Sequence, residues 1–399
     1  MEKASANFKD NIGSMVKRVE WMKKEKCYFY MRSLGSFSGP RTKINGREMI
    51  MLGSNNYLGL TNHPKIKEAA IKALKKYGTG SGGSRLLSGS FDLHEELERE
   101  IAKFKGAESA IVFNTGFMAN TGTIRSIVND RSVVINDEKN HASIVDGSLF
   151  SRARVRVFLH NDMQYLENIL SSYPKSQDKL IIVDSVYSMD GDIANLPDIH
   201  RLAKKYNAMV MIDEAHALGV LGKNGRGALE HFNMIGKIDI VMGTFSKAVG
   251  GLGGFVASKK DIVTYLKHTS REFIFSTSLP PAIIAGNIAA IKVIQNEPHL
   301  IAQLWRNISY MKNGLKNMGY DIGNSESAIM PVLIRDDIKT YRMAQFLDKA
   351  GIFVSPVVFP AVKESESRFR VTVIAPHTLS DLDKALEAFR KAGRKFGII

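Results

Sequence analysis

The chain carries a single cysteine, Cys27, so no disulfide can close within it and the thiolate-rich zinc sets are excluded. Long apolar runs are also missing. The best, residues 282–294, is broken by Asn287 and Lys292 and falls short of a membrane span. The first residues, MEKASANFKDNIGSMVKRVEW, are charged and hold no apolar signal core. Together with the cysteine usage, this leads us to expect a cytoplasmic chain in a reducing compartment. A phosphate-loop motif ending in Gly-Lys-Ser/Thr is absent: the glycine-rich run at 78–89 does not close in that way, and no other stretch does. Charge is present in excess but not in blocks. Lys and Arg number 55 against 40 Asp and Glu, a net charge of +15. Such a balance favours anionic partners, whether nucleic acid, an anionic membrane surface or a phosphate-bearing small molecule. The basic residues are dispersed and lack the aromatic interleaving of RNA-binding surfaces, which points away from nucleic acid.

What is present is an ordinary globular composition of 399 residues, 44% hydrophobic and 24% charged, long enough for two domains. The richest stretch runs from 210 to 255. Residues 209–212 form a short apolar run ending on Asp213, with His216 just beyond. A second run, 238–242, ends in Thr244-Phe245-Ser246-Lys247 and enters a glycine-rich loop. Short continuous apolar runs suit parallel strands covered on both faces, and ligands bind outside the carboxyl ends of such strands. An aldehyde cofactor such as pyridoxal phosphate needs an amine, an anion for the pyridine nitrogen, a donor to the ring hydroxyl and phosphate ligands. Lys247, Asp213, His216, and the hydroxyls of Thr244 and Ser246 supply those types. Asp-Glu-Ala-His is equally the signature of a class of nucleic-acid ATPases, but that reading needs the missing phosphate-loop lysine. A lysine among so many basic residues is by itself more often a solvated surface group.

Along the chain, Phe8, Ile12, Met15, Val16 and Val19 fall near helical spacing. Residues 41–50 read as two short strands about an Asn45-Gly46 turn, which gives residues 1–50 as an arm packed on the body or on a second subunit. Helices are expected at 64–77 and 92–105, and a strand at 109–113 turns into a helix at Gly116 and Phe117, a ready anion site. Strand 132–136 leads to His141. The alternation continues through strands 155–159, 180–183, 209–212 and 253–257 and helices 163–171 and 197–205, which predicts a mostly parallel sheet with helices on both faces. Long helices follow to 295 and over 298–318. From about 329 the order changes to strand 330–334, helix 339–350, strands 353–356 and 369–373, and helix 379–396, a smaller α/β domain. We therefore divide the chain into an arm, a large domain at 51–285 and a small one at 286–399. Arg368 and Arg370 alternate on the last strand and share a face, either as surface charges or as a carboxylate clamp.

The blocks SNNYLGL, YGTGSGGSRLLSG, TGFMANTG, NHASIVDG, YSMDGDIANLP, IDEAHALGVLG, MGTFSKAVGGLGGF, FIFSTSLPP and RFRVTVIAPHT resemble, in order and spacing, those of the α-oxoamine synthases, fold-type I pyridoxal phosphate enzymes, over nearly the whole chain. The resemblance implies an aminotransferase-like α/β fold and a homodimer with shared active sites. The implied reaction joins a small amino acid to an acyl-CoA with loss of CoA and CO2. It further implies that Lys247 binds the cofactor aldehyde and Asp213 pairs with the pyridine nitrogen. His216 and Ser188 would lie near the ring hydroxyl, and His141 would stack on the ring. Gly116, Phe117 and Thr244 would bind phosphate with Thr277 of a neighbouring subunit, and Asn55, Ser84 and Arg370 would surround the amino acid carboxylate. Within the family, the amino-terminal blocks are similar to 8-amino-7-oxononanoate synthases. The carboxyl-terminal part is more similar to bacterial serine palmitoyltransferases, with Ser355-Pro356-Val357 where the former carry an arginine before a Pro-Pro pair. Serine with a long-chain acyl donor is the expectation, with alanine and pimeloyl thioester or glycine and acetyl-CoA as alternatives.

Overall fold

The computed structural model describes residues 8–399, so the first seven residues of the expected arm lie outside the described residues. After a helix, Phe8–Lys24, strands β1 (Arg41–Ile44) and β2 (Arg47–Met51) form an antiparallel hairpin. Asn45 and Gly46 turn it with φ of +48° and +81°, the left-handed pair that matches strand twist.

The main sheet comprises β3 (Ser109–Phe113), β4 (Val133–Asp137), β5 (Arg154–Phe158), β6 (Lys179–Asp184), β7 (Met209–Asp213), β8 (Ile240–Thr244) and β9 (Gly254–Ser258), in the order β3-β9-β8-β7-β6-β4-β5. The run from β8 to β5 is parallel, whereas β9 is antiparallel to both β8 and β3. The reversal has a simple cause: the glycine-rich loop 245–253 is too short for the crossover of about a dozen residues that a parallel return requires. Alternate residues of each central strand enter two separate cores. Ile181, Val183, Val210 and Ile212 pack on one face, and Leu180, Ile182, Met211 and Ile240 on the other. That double burial explains the unbroken apolar runs. Helices Ala142–Phe150 and Lys260–Thr269 are not anticipated by the apolar pattern. The former buries Ser143, Ile144, Gly147 and Ser148, a set with no clean apolar face.

The carboxyl-terminal part adds β10 (Ile329–Leu333), β11 (Ile352–Phe353), β12 (Ser355–Val357) and β13 (Arg368–Thr372). The single strand expected at 353–356 is two. Ile352 and Phe353 pair in parallel with β2, and the chain then changes partner so that Ser355–Val357 pair with β13. Pro356 has no N–H for a central ladder, and β12 accordingly lies at the edge of the β10-β13-β12 sheet. The hairpin thus joins the carboxyl-terminal strands: Leu52 and Thr372 also exchange a backbone hydrogen bond, with Thr372 donating. Among the described residues, no helix is long and apolar enough to cross a membrane.

Candidate active site

Three parallel strands, β4, β6 and β7, end in acidic residues, and their carboxyl ends open on a cavity of about 260 Å³. Its walls include Gly116, Phe117, His141, Ser188, Asp213, His216, Thr244, Ser246 and Lys247. Nine residues read from the sequence thus meet in one place. They arrive from strand ends and the loops after them because a parallel sheet delivers every strand terminus to the same edge.

Asp213 is buried and held on both oxygens. Oδ1 accepts from the Ala215 N–H at 2.7 Å, and Oδ2 accepts from Asn120 Nδ2 at 2.8 Å. Asn120 lies one helical turn beyond Gly116 on Gly116–Ile127, and its amide also donates to Ser143 Oγ at 2.8 Å. The Ser143 N–H donates to His141 Nδ1, so that nitrogen is the acceptor and Nε2 carries the proton. His141 itself caps the helix Ala142–Phe150, which fixes its ring at the cavity wall. Loss of solvent and the charge on Lys247 lower the His141 pKa, with Asp213 opposing them.

Burial pushes the Lys247 ammonium down to about 8, against the attraction of Asp213 and Asp184. A lysine so placed carries a substantial neutral fraction near neutrality, which is what attack on an aldehyde requires. Asp184, the neighbour of Asp213 across β6 and β7, also lines the cavity, and its carboxyl is raised well above the usual range by burial and by Asp213. It accepts from the His141 N–H at 2.9 Å.

The helix Gly116–Ile127 begins at the cavity. Thr115 caps it by accepting from Met118 N, while the N–H groups of Gly116 and Phe117 have no acceptor within the helix. Thr244 Oγ1 donates to the Gly253 carbonyl at 2.8 Å and lies 2.9 Å from Ser246 Oγ. The fit is tight: a Cβ on Gly254 would come within 2.6 Å of Thr115 O and 2.7 Å of Gly116 Cα. Free N–H groups, a helix amino terminus and two hydroxyls make an anion cradle.

A second group adjoins the cavity. Arg370 donates through Nε to the Ser188 carbonyl at 2.6 Å and through NH1 to Asn55 Oδ1 at 2.9 Å. Tyr57 OH lies 2.7 Å from His216 Nδ1 and 3.5 Å from Arg370 NH2. Full burial beside Lys247 and Arg370 pushes His216 well below its ordinary value, and burial raises Tyr57. Arg370 has no carboxylate partner among the described residues, whereas Arg368 donates to Asp190 at 2.7 Å and approaches Glu366. Ser84 and Thr277 face each other in an isolated antiparallel bridge, and neither lines the cavity of this chain.

Asn120, Asp184 and Tyr57 are the contributors that the motif reading omits. Asn120 sits four residues after Gly116, so the helical period carries a signal for it. Asp184 ends an apolar strand as Asp213 does. Tyr57 has no such signal, because its link to His216 spans 159 residues.

The residues fit pyridoxal phosphate: a depressed lysine, a carboxylate with both oxygens fixed, a donor histidine and an anion cradle share one cavity. Comparison with known proteins agrees. Residues 47–389 match the aminotransferase class I and II family. The chain is 47% identical over 383 residues to an 8-amino-7-oxononanoate synthase of Thermoanaerobacter pseudethanolicus, across 96% of this chain and 97% of that one. It belongs to the α-oxoamine synthase family. A serine palmitoyltransferase of Bacteriovorax stolpii is 42% identical to this α-oxoamine synthase over 385 residues, covering 96% of this chain and 92% of that one. A serine palmitoyltransferase from S. paucimobilis, solved with a bound PLP-myriocin aldimine, superposes with a TM-score of 0.95 at 35% identity, across 98% of this chain and all of that one. The α-oxoamine synthase described here is accordingly a pyridoxal phosphate-dependent acyltransferase of fold type I.

Proposed function

We propose that this α-oxoamine synthase condenses L-serine with a long-chain acyl-CoA, palmitoyl-CoA being the reference donor, to give 3-ketosphinganine, CoA and CO2 with uptake of one proton. The observation that carries this reading is the residue paired with Arg370 in the sheet. Ser355 is its register partner on β12, and the nearby Arg368 is already neutralised by Asp190. A serine at 355 therefore adds no second cation beside Arg370 for the far carboxylate of a dicarboxylic acyl chain. The alternative pair, alanine with a pimeloyl thioester, is favoured by the 47% identity to an 8-amino-7-oxononanoate synthase.

Bound pyridoxal phosphate supplies an electron sink that acidifies the Cα–H bond of the attached amino acid. In our assignment Lys247 Nζ would hold the cofactor aldehyde and, as a free amine, would serve as the base for the Cα proton. Asp213, oriented by Asn120 and Ala215, pairs with the pyridine nitrogen. His216 and Ser188 serve the ring hydroxyl. The Gly116 and Phe117 N–H groups, Thr244 and Ser246 take the phosphate, with Thr277 supplied by the second subunit of a homodimer. Arg370 and Asn55 would bind the amino acid carboxylate, with Ser84 supplied, like the Thr277 it pairs with, by the second subunit. His141 stacks on the ring and holds that carboxylate so that Cα–H, rather than Cα–COO, faces Lys247.

The test is to add glycine, L-alanine and L-serine separately to the purified holoenzyme, follow the visible band, and then measure CoA release with acetyl-, pimeloyl- and palmitoyl-CoA. CoA release specific to L-serine and palmitoyl-CoA is the expected result. Turnover confined to alanine and pimeloyl-CoA would overturn the substrate assignment and leave the α-oxoamine synthase chemistry intact.

A further inference from the structure

The helix Phe8–Lys24 is only half seated. Phe8, Ile12, Met15, Val19 and Met22 recur at spacings of three and four, one stripe of an amphipathic helix. Met22, 3% exposed, packs with Cys27, Tyr341 and Val358, and Arg18 donates to the Phe359 carbonyl at 2.6 Å. Toward its amino terminus the same stripe overhangs: Phe8, Ile12 and Met15 are 81%, 52% and 58% exposed. The helix as a whole carries five basic residues against two acidic ones. Its anchor leads directly to the site. Past Val358 and Phe359, residues 360–363 form one wall of a cavity of about 550 Å³ whose inner end is His141 and Ser188.

We propose that this overhanging face docks on an anionic lipid membrane, placing the loop 358–363 at the bilayer surface. An apolar stripe flanked by lysine and arginine is the pattern of a helix lying in the headgroup layer, where apolar burial and attraction to anionic lipid add. The basic excess of the helix itself, five residues against two, is complementary to an anionic surface, which neutralises it. The loop contact then gives the docking a use, because a long acyl chain can pass from bilayer to cavity with little exposure to water. That last step rests on the long-chain reading above; the docking does not.

The experiment is sedimentation of the full-length holoenzyme with phosphatidylcholine vesicles, with and without about 30 mol% phosphatidylglycerol. Sedimentation with the anionic vesicles, reversed by about 0.5 M salt, is expected. The double substitution Ile12→Asp, Met15→Asp should lower that partitioning about tenfold or more. Melting temperature, elution volume and vesicle-free CoA release should not change, because both side chains are exposed. Equal partitioning of variant and wild type, or no preference for anionic vesicles, would overturn the proposal. A shift of the variant to a smaller species would also overturn it, by showing that a second copy covers the face. Docking without palmitoyl-CoA turnover would refute only the substrate assignment, and turnover without docking only this inference.

Discussion

The two sides of the cavity are built differently. Asp213, His141 and Lys247 stand at the edge of a seven-stranded sheet buried on both faces; His141 is fixed by Ser143 two residues on, and Asp213 by Ala215 two residues on and by Asn120 of the helix Gly116–Ile127. Arg370 stands on a three-stranded sheet, and its partners Asn55 and Ser188 lie 315 and 182 residues away in sequence. The first side is rigid and made of adjacent strands, which suits preorganised charge around a cofactor. The second is a joint, so on the assignment proposed above substrate binding would depend on how the carboxyl-terminal strands sit against Ser188 and Asn55.

The sharpest break of this contrast is Lys247→Ala, for which CoA release should fall by about 10³-fold or more, with loss of the borohydride-sensitive visible band. On the other side, Arg370→Lys should raise the amino acid KM by about 10²-fold with a much smaller change in kcat, since an ammonium cannot reproduce the guanidinium fork. A comparable loss of kcat at unchanged KM would erase the proposed division of labour. A separate test is offered by His160, whose ring meets Tyr187 edge-on. Burial opposes its charge, but hydrogen bonds to Asp137 and Asp192 raise it to about 9 from an ordinary 6.5. Because the folded pKa is the higher one, its stabilisation is complete below about pH 6.5 and is lost as pH rises through about 9. The shift itself corresponds to about 3 kcal/mol, which solvent screening of the partly exposed ring reduces to roughly 2 kcal/mol. Denaturant melts of His160→Asn should lack that decline.

A smaller effect concerns Lys247 before the cofactor is bound. With a pKa of about 8, its rate of combining with pyridoxal phosphate should rise about tenfold from pH 7 and level off above pH 9. An ordinary lysine would keep gaining to about 10.5, so stopped-flow absorbance across that range separates the cases. The smallest effect expected is Asn120→Ala, which frees one oxygen of Asp213. Turnover should drop several-fold and cofactor affinity should weaken, as read by equilibrium dialysis.

Much of the large sheet was legible because its central strands β6, β7 and β8 are apolar runs ending in a charged or hydroxyl residue. Lys179–Asp184 and Met209–Asp213 differ from the expected strands only at their ends. Less legible was the sense of β9, since an apolar strand reads the same in either direction and only the length of loop 245–253 forces the reversal. The split at Val354 was hidden for a related reason: nothing local says that two successive short segments will pair with different sheets. Arg368 and Arg370 look equivalent by alternation, and the position of Asp190 alone separates the neutralised one from the open one.

By itself, then, the sequence determined which residue types stand at the strand ends, because strand period and glycine-rich turns are local properties. Lys247, Asp213, His216, His141 and the anion-binding turn at Gly116 follow from that. Only the tertiary structure decided what each of them meets: Asn120 on Asp213, Tyr57 on His216, Asp184 beside Asp213, Arg370 on Ser188. Those contacts join residues from 29 to 182 positions apart, and they arise from how the sheets and helices pack, which no local pattern encodes.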